Sequence, residues 1–180
     1  MNITKTLTHE FAEIIQLLNQ FEDHDYSKLQ SIIGGSSIGQ HVRHIFEFSE
    51  CLLYGQSKKL SDETIVFSYD DRKRNYLIEQ STSFAISNFK TMIDLLESEE
   101  YDLNMELNLQ HRIGGNTNLN LITTFGRELL YILDHTIHHL AIIRIAVEKL
   151  YPWIDLPKEF GFTESTIRAK TFIQEKQTQI

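Results

Sequence analysis

The stretch that most constrains the fold is residues 125–150, which read FGRELLYILDHTIHHLAIIRIAVEKL. It contains no proline, and its one glycine, Gly126, lies at the second position, so nothing interrupts a single long helix. Apolar residues occupy nearly every side of that helix, which is typical of a buried central helix. We therefore expect the other elements to pack around it.

Two histidines on this helix form the first candidate site. His135 and His139 lie one turn apart and within roughly 40° of each other around the helix axis. This spacing suits a metal such as zinc, nickel or iron. The alternative is a pair of core histidines satisfied by neighbouring groups, since an unpartnered buried imidazole costs on the order of a few kcal/mol. His138 points about 60° away from His135 and is a weaker candidate.

A third histidine is expected from an earlier helix. Ser37 and Gln40 fit a capping box, which predicts a helix start at this point. On that helix His44 shares a face with Cys51, and His41 lies roughly 60° to one side. At least one of the two histidines therefore points inward, towards the pair on the long helix. Cys51 lies about 10 Å further along the axis than His44, too far to ligate the same ion.

The remaining chain predicts an all-α four-helix bundle with one small β-hairpin insert. Helical spacing of apolar residues recurs in three segments: 4–21, 37–54 and 76–96. Two alternating runs about Gly114-Gly115-Asn116 predict a hairpin over about residues 101–122, before the long helix. Residues 56–75 are polar and charged, and a short helix is expected at 164–170. We expect one domain over 1–180, with the bundle at 1–150 and a C-terminal extension at 151–180.

Composition excludes several kinds of partner. Acidic residues outnumber basic ones 25 to 17, giving a formal charge of −8, which argues against nucleic acid. Cys51 is the one cysteine, so an internal disulfide and a cysteine-rich zinc site are excluded. The first residues lack a signal-peptide pattern, and no uninterrupted apolar run reaches the ~18 residues of a membrane helix. We expect a cytoplasmic protein without a membrane partner.

The segments SIGQHVRHI and DHTIHHLAIIR give the sequence a family resemblance. It resembles, over about residues 1–150, the DinB-like (YfiT-like) superfamily of metal-dependent four-helix bundles, and residues 69–74 and 161–168 are similar to an uncharacterised subgroup. The resemblance implies that His44, and not His41, joins His135 and His139 in holding a divalent metal. Family members with known activity are thiol-dependent transferases and isomerases, so the resemblance also implies a low-molecular-weight thiol as substrate.

The donor set limits the chemistry. Three imidazoles leave an open metal position for water or substrate. Thr136 follows His135, so the glutamate of the H-E-x-x-H metalloproteases is missing. Glu47, one turn beyond His44, and Glu128, two turns before His135, are candidate acid/base groups; the alternative for each is a solvated or salt-bridged carboxylate.

A basic run, Arg72-Lys73-Arg74, is a second candidate feature. It is either a solvated charge run or a site that holds a substrate carboxylate. Near the C-terminus, Tyr151 and Trp153 either cap the bundle or line a dimer contact.

These observations lead to one functional hypothesis and its rivals. We expect a divalent-metal-binding protein that acts as a metal-dependent transferase or hydrolase on a small molecule, with thiol transfer favoured, and that forms a homodimer. The alternatives are a non-catalytic dimeric helical bundle with a structural or vestigial metal site, and a metal-responsive stress protein.

Overall fold

The computed structural model describes residues 2–54, 65–114 and 117–178. These residues form a mostly helical fold with a small three-stranded sheet. The helices, besides one 3-10 turn at Ser31–Ile33, are α1 (Ile3–Leu18), α2 (Asp23–Ser27), α3 (Ile38–Leu53), α4 (Tyr76–Gln80), α5 (Thr82–Ser98), α6 (Phe125–Leu150) and α7 (Glu164–Thr178). The strands are β1 (Ile65–Phe67), β2 (Glu106–Arg112) and β3 (Asn118–Thr124).

The starts of the two site-bearing helices follow from the sequence. The α3 capping box is formed: Gln40 N–H donates to Ser37 Oγ at 3.0 Å, and Ser37 N–H donates to Gln40 Oε1 at 3.2 Å. At the start of α6, Thr124 Oγ1 accepts from the N–H of Arg127. The predicted long helix at 125–150 is confirmed over its whole length.

The helix predicted over residues 76–96 is two helices, α4 and α5. Ser81 between them has extended backbone angles, φ −129° and ψ 117°. The free N–H of Thr82 at the start of α5 donates to Asp23 Oδ1 at 2.7 Å, and the Thr82 hydroxyl donates to the same oxygen at 2.8 Å. A residue of α2 therefore caps α5, a signal that cannot be read from the local sequence.

The sheet is larger than predicted. The hairpin of β2 and β3 is confirmed, although Gly115 and Asn116 of its expected turn lie outside the described residues. β1 runs parallel to β2, with Ile65 opposite Leu107. The expectation of an all-α chain with a hairpin alone missed β1, because three residues are too few to show a period-two pattern. The predicted helix at 164–170 was too short, since α7 extends to Thr178.

The core lies where α1, α3, α5 and α6 meet. Phe89 of α5 is fully buried and its ring makes edge contacts with Phe11 of α1 at 5.2 Å and Phe46 of α3 at 5.6 Å. The expectation that α6 is buried on nearly every side was wrong, because Leu130 and Ile145 are exposed. α6 thus has one open face.

Among the described helices, α6 alone has the length and apolar composition that a membrane crossing requires. The same length and composition occur in core helices. Within the protein, 44% of the most apolar window of α6 is buried.

Tyr151 closes one end of the helices. It is buried; its hydroxyl accepts from Gln30 Nε2 at 2.8 Å and donates to the Asp25 carbonyl oxygen at 3.2 Å. Of the two roles expected for Tyr151, capping is therefore the one observed. Trp153, by contrast, is 68% exposed and remains a candidate contact residue.

A buried carboxyl on α1 makes stability depend on pH. Glu10 is 9% exposed, and burial, with a smaller contribution from the charge of Glu13, raises its pKa from 4.5 to about 7. The folded protein thus retains a proton that the unfolded chain releases. The stability contributed by this protonated group is complete below about pH 4.5 and is lost as the pH rises through about 7.

We expect Glu10→Gln to raise the free energy of unfolding by about 2 kcal/mol at a pH of ~8 and to change it little at a pH of ~5. Urea denaturation at both pH values measures this difference. Glu97→Gln, the same change on an exposed part of α5, serves as the control and should have little effect at either pH. Equal gains for Glu10→Gln at both pH values would contradict the assignment.

Candidate metal centre

Two packed helices bring the three predicted histidines together. His44 comes from α3 and His135 and His139 come from α6, and one ring nitrogen of each lies within 4.8 Å of the others. The Nε2 atoms of His44 and His135 are 3.0 Å apart. The structure therefore places the three side chains in one cluster, as expected; that they bind an ion stays a prediction.

The surroundings keep these imidazoles neutral. Burial lowers the pKa of His44 and of His135 to about 4, and the nearby charge of Arg72 adds a smaller effect in both cases. Burial, followed by the neighbouring His135 and His44, lowers the pKa of His139 to about 3. A neutral imidazole has a free lone pair, which is the form that ligates a metal.

The donor set fits a divalent ion. Two neutral imidazoles whose Nε2 atoms are 3.0 Å apart can share only one proton between them, whereas a cation would satisfy both lone pairs. Three nitrogen donors from rigid helices, with no thiolate, match the ligand preferences of zinc, nickel and iron. His44, His135 and His139 are therefore the residues that would hold such an ion.

His41 has a role that the sequence did not show. Its Nδ1 lies 2.9 Å from Nδ1 of His139, so the two rings form a hydrogen bond. Hydrogen bonds of this kind fix the orientation and tautomer of a metal-ligating histidine. His41 thus contacts one of the three histidines without belonging to the cluster. His138, the weaker candidate, is exposed and is not one of the three clustered histidines.

Aromatic rings surround the histidines on one side. The Phe48 ring contacts His44 and His135, with centroid distances of 4.5 Å and 4.4 Å. The Tyr131 ring stacks on His135 at 5.6 Å. The guanidinium of Arg72 lies over the Phe48 ring, 4.4 Å from its centroid. These rings exclude water from part of the cluster and hold the imidazoles in place.

The two candidate carboxylates have different environments. Glu47 is buried and accepts from the Asn75 N–H at 3.0 Å, with Arg43 Nε at 3.4 Å and Arg72 Nε at 3.9 Å. The Glu47 carboxylate is therefore paired with two arginines. The same network includes the ion pair of Arg43 and Glu79, at 2.5 Å. Glu47 is therefore a salt-bridged carboxylate, and its acid/base role stays a prediction.

Glu128 is buried at the wall of a cavity beside the cluster. It accepts hydrogen bonds from the Tyr69 hydroxyl at 2.9 Å and from the Thr123 hydroxyl at 2.8 Å. Both donors are neutral, so Glu128 has no ion-pair partner among the described residues. Burial, followed by the Glu128 charge, raises the pKa of Tyr69, so this phenol stays protonated.

The basic run lies at two places. Arg72 lines both the cavity that Glu128 borders and a separate groove, whereas Lys73 and Arg74 line that groove and not the cavity. Cys51 borders that second groove, and burial raises the pKa of its thiol to about 11, so it is not a thiolate at neutral pH. Only Arg72 of the run is placed near the histidines.

Comparison with known proteins identifies the family. The family model of the DinB superfamily matches residues 6–143, which include most of α1, all of α3, α5 and the sheet, and most of α6. No curated protein and no solved structure shows significant similarity to the chain. The matched region covers most of the sequence and contains all three histidines of the cluster. The chain belongs to the DinB superfamily.

Proposed function

We propose that the protein is a divalent-metal-dependent enzyme that acts on a small molecule. The observation that carries the proposal is the cluster of neutral imidazoles of His44, His135 and His139, within 4.8 Å of one another. A bound zinc, nickel or iron ion would supply a Lewis acid with an open position at this cluster. Elemental analysis of protein purified without a histidine tag should find about one ion per chain.

The residues around the cluster supply orientation and proton transfer. Glu128, held by Tyr69 and Thr123 and not paired with a cation, is the carboxylate suited to accept or donate a proton in the adjacent cavity. The rings of Phe48 and Tyr131 shield His135 from water on the cavity side. Hydrogen bonding by His41 keeps His139 in one orientation.

The reaction that we favour is transfer of a low-molecular-weight thiol to an electrophilic co-substrate. It is supported by the family assignment and by three neutral nitrogen donors, which leave room for an anionic sulfur ligand. In cobalt-substituted protein, bacillithiol, glutathione or cysteine should produce a near-ultraviolet charge-transfer band. The band should be absent from His135→Ala. If none of the three thiols changes the spectrum at millimolar concentration, thiol transfer is wrong.

Removing the metal distinguishes an enzyme site from a structural one. The core is built from apolar helix faces and does not need an ion, so chelation should leave the helical circular dichroism intact at room temperature. A ligand present at about 100 times its Kd adds ~2.7 kcal/mol, so chelation should lower Tm by roughly 5–10 °C. Outright unfolding on addition of EDTA would instead favour the non-catalytic, structural site.

We also propose that the four long helices form the four-helix bundle of a single domain. α1 packs on α5 and on α6, and α3 also packs on both, so each long helix has two long neighbours. The homodimer stays a prediction, for which the exposed Trp153 is the candidate contact. Light scattering of the wild type and of Trp153→Ala tests it.

A further inference from the structure

A cavity of about 490 Å³ lies beside the histidine cluster. Phe48 and Tyr131 form part of its wall, and both rings also contact His135, with centroid distances of 4.4 Å and 5.6 Å. The cavity and the cluster therefore share a wall. Its volume lies in the range of roughly 300–1,000 Å³ that is usual for small-molecule sites.

The lining is suited to a flat apolar body. Phe48 and Tyr69 stack at 4.9 Å with an interplanar angle of 16°, and Tyr69 contacts Tyr131 at 5.5 Å. Leu109 and Leu121, paired across β2 and β3, also line the cavity. A planar ring in this cavity would bury apolar area against the aromatic rings and the leucines.

The acceptors in the cavity wall already have partners. Glu128 accepts from Tyr69 and Thr123, as described above. Asp70 Oδ2 accepts from the Arg112 N–H at 2.8 Å and lies 3.1 Å from His111 Nδ1. Both carboxylates therefore already accept hydrogen bonds from the protein.

The donors in the wall are less occupied. Among the described residues, the Arg127 side chain has no hydrogen bond or ion pair, and its guanidinium lies 5.9 Å from the Tyr131 centroid. Arg72 donates through Nη1 to the Tyr69 carbonyl, and its Nε lies 3.9 Å from a Glu47 carboxylate oxygen. Within the described part of the chain, this Nε has no hydrogen-bond partner. Two guanidiniums with free N–H groups at one cavity favour an anion, and a carboxylate matches their fork geometry.

We propose that this cavity binds an aromatic carboxylate, with the ring against Phe48, Tyr69 and Tyr131 and the carboxylate held by Arg72 and Arg127. The inference deepens the proposed function, because it names the substrate class for the pocket next to the histidines. The pocket itself contains its own recognition groups, so binding does not require the metal.

Ligand-observed NMR titrations with phenylacetate and its neutral amide, phenylacetamide, test the proposal. Phenylacetate should bind at least about tenfold more tightly than the amide, as expected for a charge-assisted hydrogen bond. Arg127→Gln should abolish this preference without altering the fold, because Arg127 is exposed. Arg74→Gln, which lies at the other groove, is the matched control and should leave both affinities unchanged.

The metal-free His139→Ala variant separates this proposal from the proposed function. Phenylacetate should bind this variant with the same affinity as the wild type. If the wild type retains no metal, the proposed metal-dependent function is wrong, but phenylacetate binding is still expected. Equal affinities for acid and amide, no binding of either, or an acid affinity that depends on His139 and not on Arg127 would each overturn the aromatic carboxylate site.

Discussion

Replacing His139 with alanine should lower the affinity for zinc by at least about 100-fold, more than the roughly 10–100-fold loss typical when an outer-shell partner of a metal ligand is removed. The reason is that His139 is one of three nitrogen donors within 4.8 Å of one another, and two imidazoles do not hold a zinc ion tightly. Competition with a chromophoric chelator measures the change. Because alanine favours the helix, circular dichroism should show α6 intact.

Two neighbouring histidines make this prediction specific. His138→Ala removes an exposed imidazole from the same turn of α6 and should leave the affinity unchanged. His41→Ala removes the hydrogen bond to His139 and should weaken binding about tenfold. Unchanged zinc affinity in the triple variant of His44, His135 and His139 would show that the ion binds elsewhere.

Gly39→Ala should destabilise the protein strongly, with a loss of about 3 kcal/mol or more in the free energy of unfolding. A Cβ at this position would overlap the carbonyl oxygen of Glu79 and lie 2.8 Å from its carbonyl carbon. Both are backbone atoms, so α3 and α4 would have to separate. On an unobstructed helix the same substitution would stabilise by about 1 kcal/mol, so the expected sign is opposite to that of helix propensity. Thermal unfolding should show a Tm lower by roughly 6–12 °C.

Gly34→Ala is the control for this experiment. Gly34 has a positive φ of 68°, but a Cβ there would meet nothing within 4 Å. Its cost should be the backbone strain alone, about 1 kcal/mol. If Gly39→Ala is no more destabilising than Gly34→Ala, α3 and α4 do not pack as closely as described.

The sequence predicted the elements whose signals are local. α6 and α3 were placed within a residue or two, because long apolar periodicity and a capping box lie in the elements themselves. The break at Ser81 was missed because the residue that caps α5, Asp23, belongs to another helix. β1 was missed because its partner, β2, lies about 40 residues further along the chain.

For the candidate site, the sequence likewise predicted the histidines but not their surroundings. Helical angles placed His135 and His139 on one face, and the family resemblance selected His44 over His41. The hydrogen bond of His41 and the cavity formed with the sheet depend on tertiary packing, and no periodic pattern contains them. That Arg72 and Arg127 line the same cavity likewise depends on tertiary packing.

The separation of His44 and His135, 91 residues along the chain, makes the cluster a reporter of completed folding. The hairpin and each helix can form from nearby residues, but these two imidazoles meet only after α3 and α6 have docked. Contacts of such long sequence separation form late, because the connecting loop must first be closed. In refolding experiments with cobalt present, the absorption of the bound ion should therefore appear with the slowest phase, after most of the helical circular dichroism has returned.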